Sequence, residues 1–257
     1  MDFDSGYNPL LLGEGVRRMV SRGEERKYYR FRGGKWYGGI ATADCVGCNL
    51  RCVFCWSGEP RDRPWLSVWR FYTPEEVYGR LRSIALRRRY SQIRISGNEP
   101  TLAWQHLLRV LELVEEDGLF TFILETNGIE LGADKGKARD LSRFTRVHVR
   151  VSLKGASREE FHKLTGARPE FFDLQLSALR HLADYGVPAH PAVMLSFSSQ
   201  ESVKRLVEEL GEIHQSYARE LEEEYVFLYP HVVERLKKAG LTPRVAYHPD
   251  AIPEELI

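Results

Sequence analysis

The chain has 257 residues, 43% of them hydrophobic and 28% charged, with a formal net charge of +1, a size that suits one large core and is ordinary for a single α/β barrel. It has no long uncharged apolar run, and its start carries Asp2 and Asp4 instead of a basic and apolar leader, so we expect a cytoplasmic protein with no membrane partner. The four cysteines are clustered, which argues against a secreted disulfide framework and favours a reducing compartment.

Strand-like and helix-like segments alternate along most of the chain. Residues 1–35 lack a clean period and are treated as an N-terminal extension, and residues 231–257 as a C-terminal extension with a helix at about 231–239. Between them we predict strands at 36–43, 92–96, 119–125, 145–153, 187–195 and 224–229, and helices at 73–89, 101–117, 135–142, 157–164, 170–185 and 199–217. Six strand–helix alternations imply parallel strands with helical crossovers. The sequence therefore predicts one α/β domain, a partial (β/α)6 barrel with its core at 36–230.

Three cysteines, Cys48, Cys52 and Cys55, follow the first predicted strand within eight residues. Thiolates on one short loop can converge on one corner of an inorganic cluster. A four-iron cluster normally takes four thiolates, so three leave one iron open to a substrate or cofactor. A disulfide remains an alternative, as does a zinc site in which Cys45 and Cys48 form one couple and the other two cysteines the second.

The cysteine spacing, with Phe54 directly before the last cysteine, resembles the signature of the radical S-adenosylmethionine (radical SAM) superfamily. This resemblance implies a [4Fe-4S] cluster held by the three cysteines and S-adenosylmethionine chelated at the open iron. It also implies reductive cleavage of that cofactor to a 5′-deoxyadenosyl radical, which abstracts hydrogen from a substrate. The electron would come from a donor such as flavodoxin or ferredoxin. Cys45 is then either an additional ligand or a buried thiol.

Two further motifs follow the second and third predicted strands, where catalytic groups of parallel sheets gather. Gly97-Asn98-Glu99-Pro100 resembles the Gly-Gly-Glu-Pro motif that binds the methionine amino group in this superfamily, with Asn98 in place of the second glycine. Thr126-Asn127-Gly128 resembles the Thr-Asn-Gly of the glycyl-radical-enzyme activases. The resemblance implies that Gly97, Asn98, Glu99, Thr126 and Asn127 contact the cofactor.

The fourth strand ends in Ser152-Leu153-Lys154, which resembles the Asp-Leu-Lys segment of the same activases. Lys154 is predicted to neutralise the methionine carboxylate, as a residue with a catalytic role beside the three cysteines. Ser152 stands where those enzymes carry aspartate, so a function of that acid is in doubt here. The resemblance nevertheless places Ser152 and Phe54 among the residues that contact the cofactor. We expect Met194, near the end of the fifth strand, to contact the adenine, and His162 to be structural.

The resemblance leaves the substrate open between two classes. The Thr-Asn-Gly and Leu-Lys motifs favour a protein or peptide, as in the activases. Cys55-Trp56 resembles the Cys-Trp of the wyosine-forming transfer-RNA enzymes, which places Trp56 among the cofactor-site residues and favours RNA or a nucleotide. Residues 1–90 carry 17 Lys and Arg against 10 Asp and Glu, which is compatible with an anionic partner.

The loop after Trp56 mixes aromatic and basic side chains that can stack on bases and contact phosphates, namely Arg61, Arg63, Trp65, Trp69, Arg70, Phe71 and Tyr72. An aromatic and arginine-rich loop also commonly packs over a barrel mouth. A third functional class, a non-catalytic iron–sulfur or zinc module, would need none of the strand-end motifs.

Overall fold

The structure, a computed structural model, describes residues 6–253. Asp2 and Asp4, which support the expectation that no leader is present, lie outside these residues, as do residues 254–257 of the predicted C-terminal extension. The helices are α1 (Pro9–Val20), α2 (Gly58–Asp62), α3 (Pro74–Arg88), α4 (Trp104–Asp117), α5 (Ile129–Ala133), α6 (Lys135–Leu141), α7 (Arg158–Thr165), α8 (Phe172–Asp184), α9 (Gln200–Ile213), α10 (Gln215–Arg219) and α11 (Pro230–Lys238). The strands are β1 (Ser21–Arg22), β2 (Glu25–Gly34), β3 (Ile40–Cys45), β4 (Arg70–Tyr72), β5 (Gln92–Ser96), β6 (Thr121–Thr126), β7 (Val147–Leu153), β8 (Ala189–Met194), β9 (Glu222–Glu224), β10 (Val226–Phe227) and β11 (Ala246–Tyr247).

Six parallel strands form the centre of the large sheet, in the order β3-β5-β6-β7-β8-β9. The first five are joined in chain order by helical crossovers, as the alternation predicts, and β9 follows α9 and α10. On the other side of β3, β2 pairs antiparallel and carries β1 and β4. The described part of the chain thus has an α/β fold with an open, partial barrel, which confirms the predicted fold class.

The two faces of the parallel strands differ in chemistry, because successive side chains point to opposite sides. One row across the sheet is apolar and buried in the main core, with paired residues Ala43, Ile95, Leu124, Val149 and Ala189. Helices α3, α4 and α8 cover the strands on that side. The neighbouring row is polar, with Asp44 opposite Ser96 and Glu125 opposite Arg150. The polar row faces the barrel interior and forms the floor of the candidate site.

The N-terminal extension is more regular than the sequence suggests. Residues 9–20 form α1, and the ten-residue strand β2 joins the sheet beside β3. The predicted first strand begins too early, because Trp36–Gly38 form a 3-10 turn between the antiparallel β2 and β3. Tyr37 has a φ of 55° there, which a strand residue does not adopt. The strand itself begins at Ile40.

The sixth strand is displaced from its predicted position at 224–229. The strand that joins the barrel is Glu222–Glu224, whereas Val226–Phe227 pair with Ala246–Tyr247 in a separate two-stranded sheet. Glutamate is uncommon in β-strands, so three consecutive glutamates do not indicate one. The predicted strand is therefore placed on the apolar residues that follow them. No helix among residues 6–253 has the length and apolar character needed to cross a membrane.

Candidate metal and cofactor site

A cavity of about 1000 Å³ opens at the carboxyl ends of the parallel strands. It is lined by every residue that the sequence assigns to the metal and cofactor site: Cys48, Cys52, Phe54, Cys55, Trp56, Gly97, Asn98, Glu99, Thr126, Asn127, Ser152, Lys154 and Met194. His162 lies outside this lining, and its Nδ1 donates to the carbonyl of Ala167 at 2.8 Å, which suits a structural role. The topology therefore brings together motifs that are up to 146 residues apart, from Cys48 to Met194.

The cysteine loop runs from the end of β3 to the start of α2 and is held against α1. Gly47 has a φ of 85°, and a Cβ there would lie 2.6 Å from Cγ1 of Val16, so only glycine fits at this turn. The Sγ of Cys48 accepts a 3.3 Å hydrogen bond from the N–H of Leu50 and lies 3.7 Å from Nδ2 of Asn127. Burial raises the pKa of Cys52 to about 11, and the positive charges of Lys154 and Arg61 oppose that rise.

Three thiols that line one cavity from one loop fit the donor set of a [4Fe-4S] cluster with one open iron. Burial raises the pKa of Cys48 and Cys52 and so disfavours their bare thiolates, which a cationic metal group beside them would stabilise. Cys45 does not line the cavity; it is fully buried, and its Sγ accepts a 3.2 Å hydrogen bond from Arg26. Within residues 6–253, no group of three or more His, Cys, Asp or Glu side chains is arranged to hold a single metal ion.

Glu99 connects the ends of two strands. Its Oε1 accepts hydrogen bonds from the N–H and Oγ1 of Thr101, at 3.2 and 2.7 Å, and from Oγ1 of Thr126 at 2.7 Å. Its Oε2 accepts from the N–H of Asn127 at 2.8 Å. Burial raises the pKa of this carboxyl group, and these four hydrogen bonds oppose the rise. The carboxylate thus fixes the strand ends, whereas the sequence assigns it to the methionine ammonium.

Asn98 offers a free acceptor close to Glu99. Its Nδ2 donates to the carbonyl of Cys45 at 2.9 Å and to Oγ of Ser57 at 3.3 Å. Its Oδ1 is buried and has no hydrogen-bond partner among the described residues. Gly97 has a φ of 97°, and a Cβ there would lie 3.0 Å from the backbone of Asp44, so glycine is required. The Gly-Asn-Glu turn therefore presents one unsatisfied side-chain acceptor, Oδ1 of Asn98, to the cavity.

Lys154 belongs to a charged network across the barrel interior. Its Nζ contacts Oγ of Ser152 and lies 3.7 Å from Oε2 of Glu224. Arg150 donates to Glu222 at 2.7 and 2.8 Å and to Glu224 at 2.7 Å. Burial opposes the ionisation of Glu224, but Lys154 and Arg150 hold the pKa of that carboxyl group below its usual value. Lys154 is thus already partnered by protein groups at the cavity wall.

Sequence reasoning missed several of these residues. Glu222 and Glu224 lay outside any motif, and their only signal was a run of three glutamates. Gln175 is fully buried on α8, and its amide nitrogen donates to the carbonyls of Asn127 and Ser152, while its oxygen accepts from the N–H of Lys154 at 3.1 Å. The sequence did carry a signal for Gln175, because a glutamine on the apolar face of an amphipathic helix indicates a buried polar contact.

One wall of the cavity combines an indole ring with guanidinium groups. Arg30 lies 5.4 Å from the ring centre of Trp56, and Arg32 lies 5.9 Å from it. Both arginines donate to the same carboxylate, Asp44, at 2.6 and 2.8 Å. Since one carboxylate is shared by two guanidinium groups, this wall carries a surplus of positive charge.

The predicted aromatic and basic loop contributes little to the cavity. Of its members only Arg61 lines it, and Trp65 is 60% exposed elsewhere on the surface. Phe71 lies under Arg22 and Lys27, and Tyr72 packs edge-on against Phe31. These contacts agree with a loop that packs over its neighbours.

Comparison with known proteins identifies one family. The model of the Radical SAM superfamily matches residues 44–210. A protein named probable GTP 3′,8-cyclase from Methanopyrus kandleri is 29% identical over 167 residues, which cover 65% of this chain and 50% of that protein. The chain thus spans about half the length of the curated relatives it matches.

Two solved structures are similar in fold. Streptococcus suis SuiB bound to its precursor peptide SuiA has a TM-score of 0.56 and 18% identity, covering 81% of this chain and 48% of that one. A double mutant of spore photoproduct lyase with bound AdoMet and dinucleoside spore photoproduct has a TM-score of 0.59 and 14% identity, covering 90% of this chain and 69% of that one.

Proposed function

This chain belongs to the radical SAM superfamily, whose members use a [4Fe-4S] cluster and S-adenosylmethionine, and we propose that it generates a 5′-deoxyadenosyl radical in the barrel cavity to abstract hydrogen from a bound substrate. When bound, the cluster supplies the electron that breaks the sulfonium carbon–sulfur bond. The observation that carries the proposal is that Cys48, Cys52 and Cys55 share one cavity with all of the strand-end motif residues.

The residues divide into ligands, cofactor contacts and positioning groups. Cys48, Cys52 and Cys55 hold the cluster. The unpartnered Oδ1 of Asn98 accepts a hydrogen bond from the methionine ammonium. Glu99 positions the two strand ends, because both of its oxygens already accept hydrogen bonds from protein groups.

The remaining cofactor contacts stay as the sequence assigns them. Lys154 faces the methionine carboxylate, for which it exchanges its contact with Glu224. Met194 gives apolar contact to the adenine. The other proposed contacts are Phe54, Trp56, Gly97, Thr126, Asn127 and Ser152, all of which line the cavity.

The cavity wall supports a nucleotide or RNA as the substrate better than a peptide. Trp56 offers a ring for base stacking, and Arg30 and Arg32 offer positive charge for a phosphate. The relatives named probable GTP 3′,8-cyclase are consistent with this class. A peptide, as in the glycyl-radical-enzyme activases and in the SuiB complex with SuiA, is the other candidate and stays a prediction.

An assay of S-adenosylmethionine cleavage tests the proposal. The protein is reconstituted with iron and sulfide without oxygen, reduced with dithionite, and analysed for 5′-deoxyadenosine by mass spectrometry. We expect product from the wild type, and none from Cys52→Ala. Absence of product from iron-loaded wild type would refute the enzymatic function.

The substrate class is tested in the same assay with nucleoside triphosphates, bulk transfer RNA and a pool of peptides. A nucleotide or RNA substrate should increase 5′-deoxyadenosine formation, and Arg30→Gln together with Arg32→Gln should remove the increase. Salt should weaken RNA binding, because phosphate contacts release counterions. Stimulation by peptides alone would refute the nucleotide proposal and leave the cleavage reaction standing.

A further inference from the structure

Each of the three ligand cysteines has its backbone carbonyl hydrogen-bonded to an arginine. Arg51 donates to the carbonyl of Cys48 at 2.7 Å, and Arg61 donates to that of Cys52. Arg235 donates to the carbonyl of Cys55. The three arginines come from different parts of the chain: the cysteine loop itself, α2 and the C-terminal helix α11. The loop is therefore surrounded by guanidinium groups.

The C-terminal helix α11 is attached to this loop at two points. Besides Arg235, His231 donates from Nε2 to the carbonyl of Trp56 at 2.9 Å. Gly58, at the start of α2, faces both side chains, since a Cβ there would lie 3.5 Å from the imidazole of His231 and 3.6 Å from Arg235. The helix lies more than 170 residues after the cysteines in the sequence and contacts the loop at its last ligand.

Arg61 and Arg235 carry more charge than their protein partners neutralise. Arg61 forms a bidentate pair with Asp62 at 2.7 and 2.8 Å, and Arg235 lies 3.8 Å from the same carboxylate. Within residues 6–253, Asp62 is the carboxylate that both guanidinium groups share. The side chains of Arg61 and Arg235 are only 5% and 21% exposed, so water screens the surplus charge poorly.

A poorly screened surplus cation stabilises negative charge beside it. Both guanidinium groups lie beside the cysteine loop, because Arg61 donates to the carbonyl of Cys52 and Arg235 donates to that of Cys55. One-electron reduction would add one negative charge to a [4Fe-4S] cluster held by these cysteines. Charge and hydrogen bonds around an iron–sulfur cluster set its reduction potential.

We propose that Arg235, held in place by α11, is a positioning residue that makes the cluster easier to reduce. The inference rests on the proposed function, since it needs a [4Fe-4S] cluster on Cys48, Cys52 and Cys55. The step is the transfer of one electron from a low-potential one-electron donor, and no bond or proton changes at Arg235. The C-terminal helix thereby acts on the electron-accepting end of the site, in addition to lining the cavity with His231, Glu234 and Arg235.

The test is the midpoint potential of the cluster in the reconstituted full chain, measured by a redox titration followed by electron paramagnetic resonance. Arg235→Gln keeps a polar side chain but has lost the charge. We expect its reduction equilibrium constant to fall about tenfold, which for one electron is about 59 mV. Arg235→Lys, which keeps the charge, should stay close to the wild type. Lys238→Ala removes an exposed cation from the same helix and should leave the potential unchanged.

The outcomes separate the two claims. Wild type that holds iron but gives no reducible cluster signal would refute the proposed function. A normal wild-type signal with equal potentials in Arg235→Gln and Lys238→Ala would overturn the role of Arg235 alone. Failure of Arg235→Gln to load iron, when Arg235→Lys loads it, would make the contact a requirement of assembly and would also overturn the redox role. Iron per chain is measured in every sample for this purpose.

Discussion

Glu99 accepts a 2.7 Å hydrogen bond from Oγ1 of Thr126, which joins the end of β6 to the turn that follows β5. The same buried carboxylate accepts a hydrogen bond from the backbone N–H of Asn127. In Glu99→Gln, an amide nitrogen replaces one acceptor and meets a donor. We expect a loss of about 1–3 kcal/mol of unfolding free energy, measured by urea denaturation. Binding of S-adenosylmethionine should weaken in parallel, because the strand ends lose their fixed spacing.

Glu234→Gln is the matched control for this change. Glu234 also lines the cavity, but it is a more accessible glutamate on α11. Its substitution should change stability by less than about 0.5 kcal/mol. If both variants unfolded at the same urea concentration as the wild type, the structural role of Glu99 would be wrong.

Cys45 and Cys52 should respond differently to removal of the thiol. Cys52→Ala should lose the iron and the brown colour, because the cluster loses one of its three ligands. Cys45→Ala should keep both, because Arg26 retains its hydrogen bonds to the carbonyls of Val46 and Glu99 at 3.3 and 2.7 Å. Iron and sulfide per chain, with the visible absorption spectrum, check the prediction. Loss of iron from Cys45→Ala would make Cys45 a ligand.

We predict that His106 makes the protein less stable at mildly acidic pH. Burial lowers its pKa to about 4, while its Nδ1 donates to the carbonyl of Glu24 and its Nε2 accepts from Tyr28. The unfolded chain takes up a proton near pH 6.5, and the folded chain does so only near pH 4. The contribution of neutral His106 to the free energy of unfolding is therefore complete above pH 6.5. It declines as the pH falls towards 4, by about 1.4 kcal/mol per pH unit.

Urea denaturation between pH 7 and pH 5 measures this decline. His106→Gln has no titrating group there, so its unfolding free energy should fall less over this range than that of the wild type, by about 2 kcal/mol. Acid effects on other groups are common to both proteins and cancel in the comparison. Parallel curves for the two proteins would show that His106 does not contribute.

The elements that the sequence predicts well are those stabilised by neighbouring residues. The helix at 73–89 is marked by Thr73 and Pro74, and the observed α3 begins at Pro74 with a complete capping box between Thr73 and Glu76. In contrast, β9 is held by Arg150 on β7, whose bonds to Glu222 span 72 residues. A local sequence pattern cannot reveal a partner as distant as Arg150, so a run of glutamates is predicted as a loop.

The same distinction applies to the candidate site. The motif residues that line the cavity could be predicted, because motifs at the carboxyl ends of parallel strands must meet at one edge of a sheet, whereas Glu222 and Glu224 belong to no motif. The partners of those residues could not. The four hydrogen bonds of Glu99, the contact of Lys154 with Glu224 and the carbonyl contact of Arg235 all depend on how the elements pack.

Arg150 should be among the most sensitive positions in the barrel interior. It is buried and pairs with both Glu222 and Glu224. Arg150→Met leaves Glu222 and Glu224 without the arginine that they share, and breaking a buried ion pair in this way costs about 3–5 kcal/mol. Arg158→Met removes an arginine from an exposed pair with Asp173 and should cost less than about 1 kcal/mol.

The loss in Arg150→Met should also depend on pH. Burial opposes the ionisation of Glu222, but Arg150 and His190 hold the pKa of its carboxyl group well below the usual value. In the wild type, this contribution is present above about pH 4.5 and declines at lower pH. Without Arg150, burial is opposed chiefly by His190 at Glu222 and by Lys154 and Ser152 at Glu224. The pKa of each carboxyl group therefore rises, and we expect the deficit to shrink as the pH falls from 7 to 5. Urea denaturation at the two pH values measures it, and a deficit of equal size at both would show that the cost is lost packing, not unpaired charge.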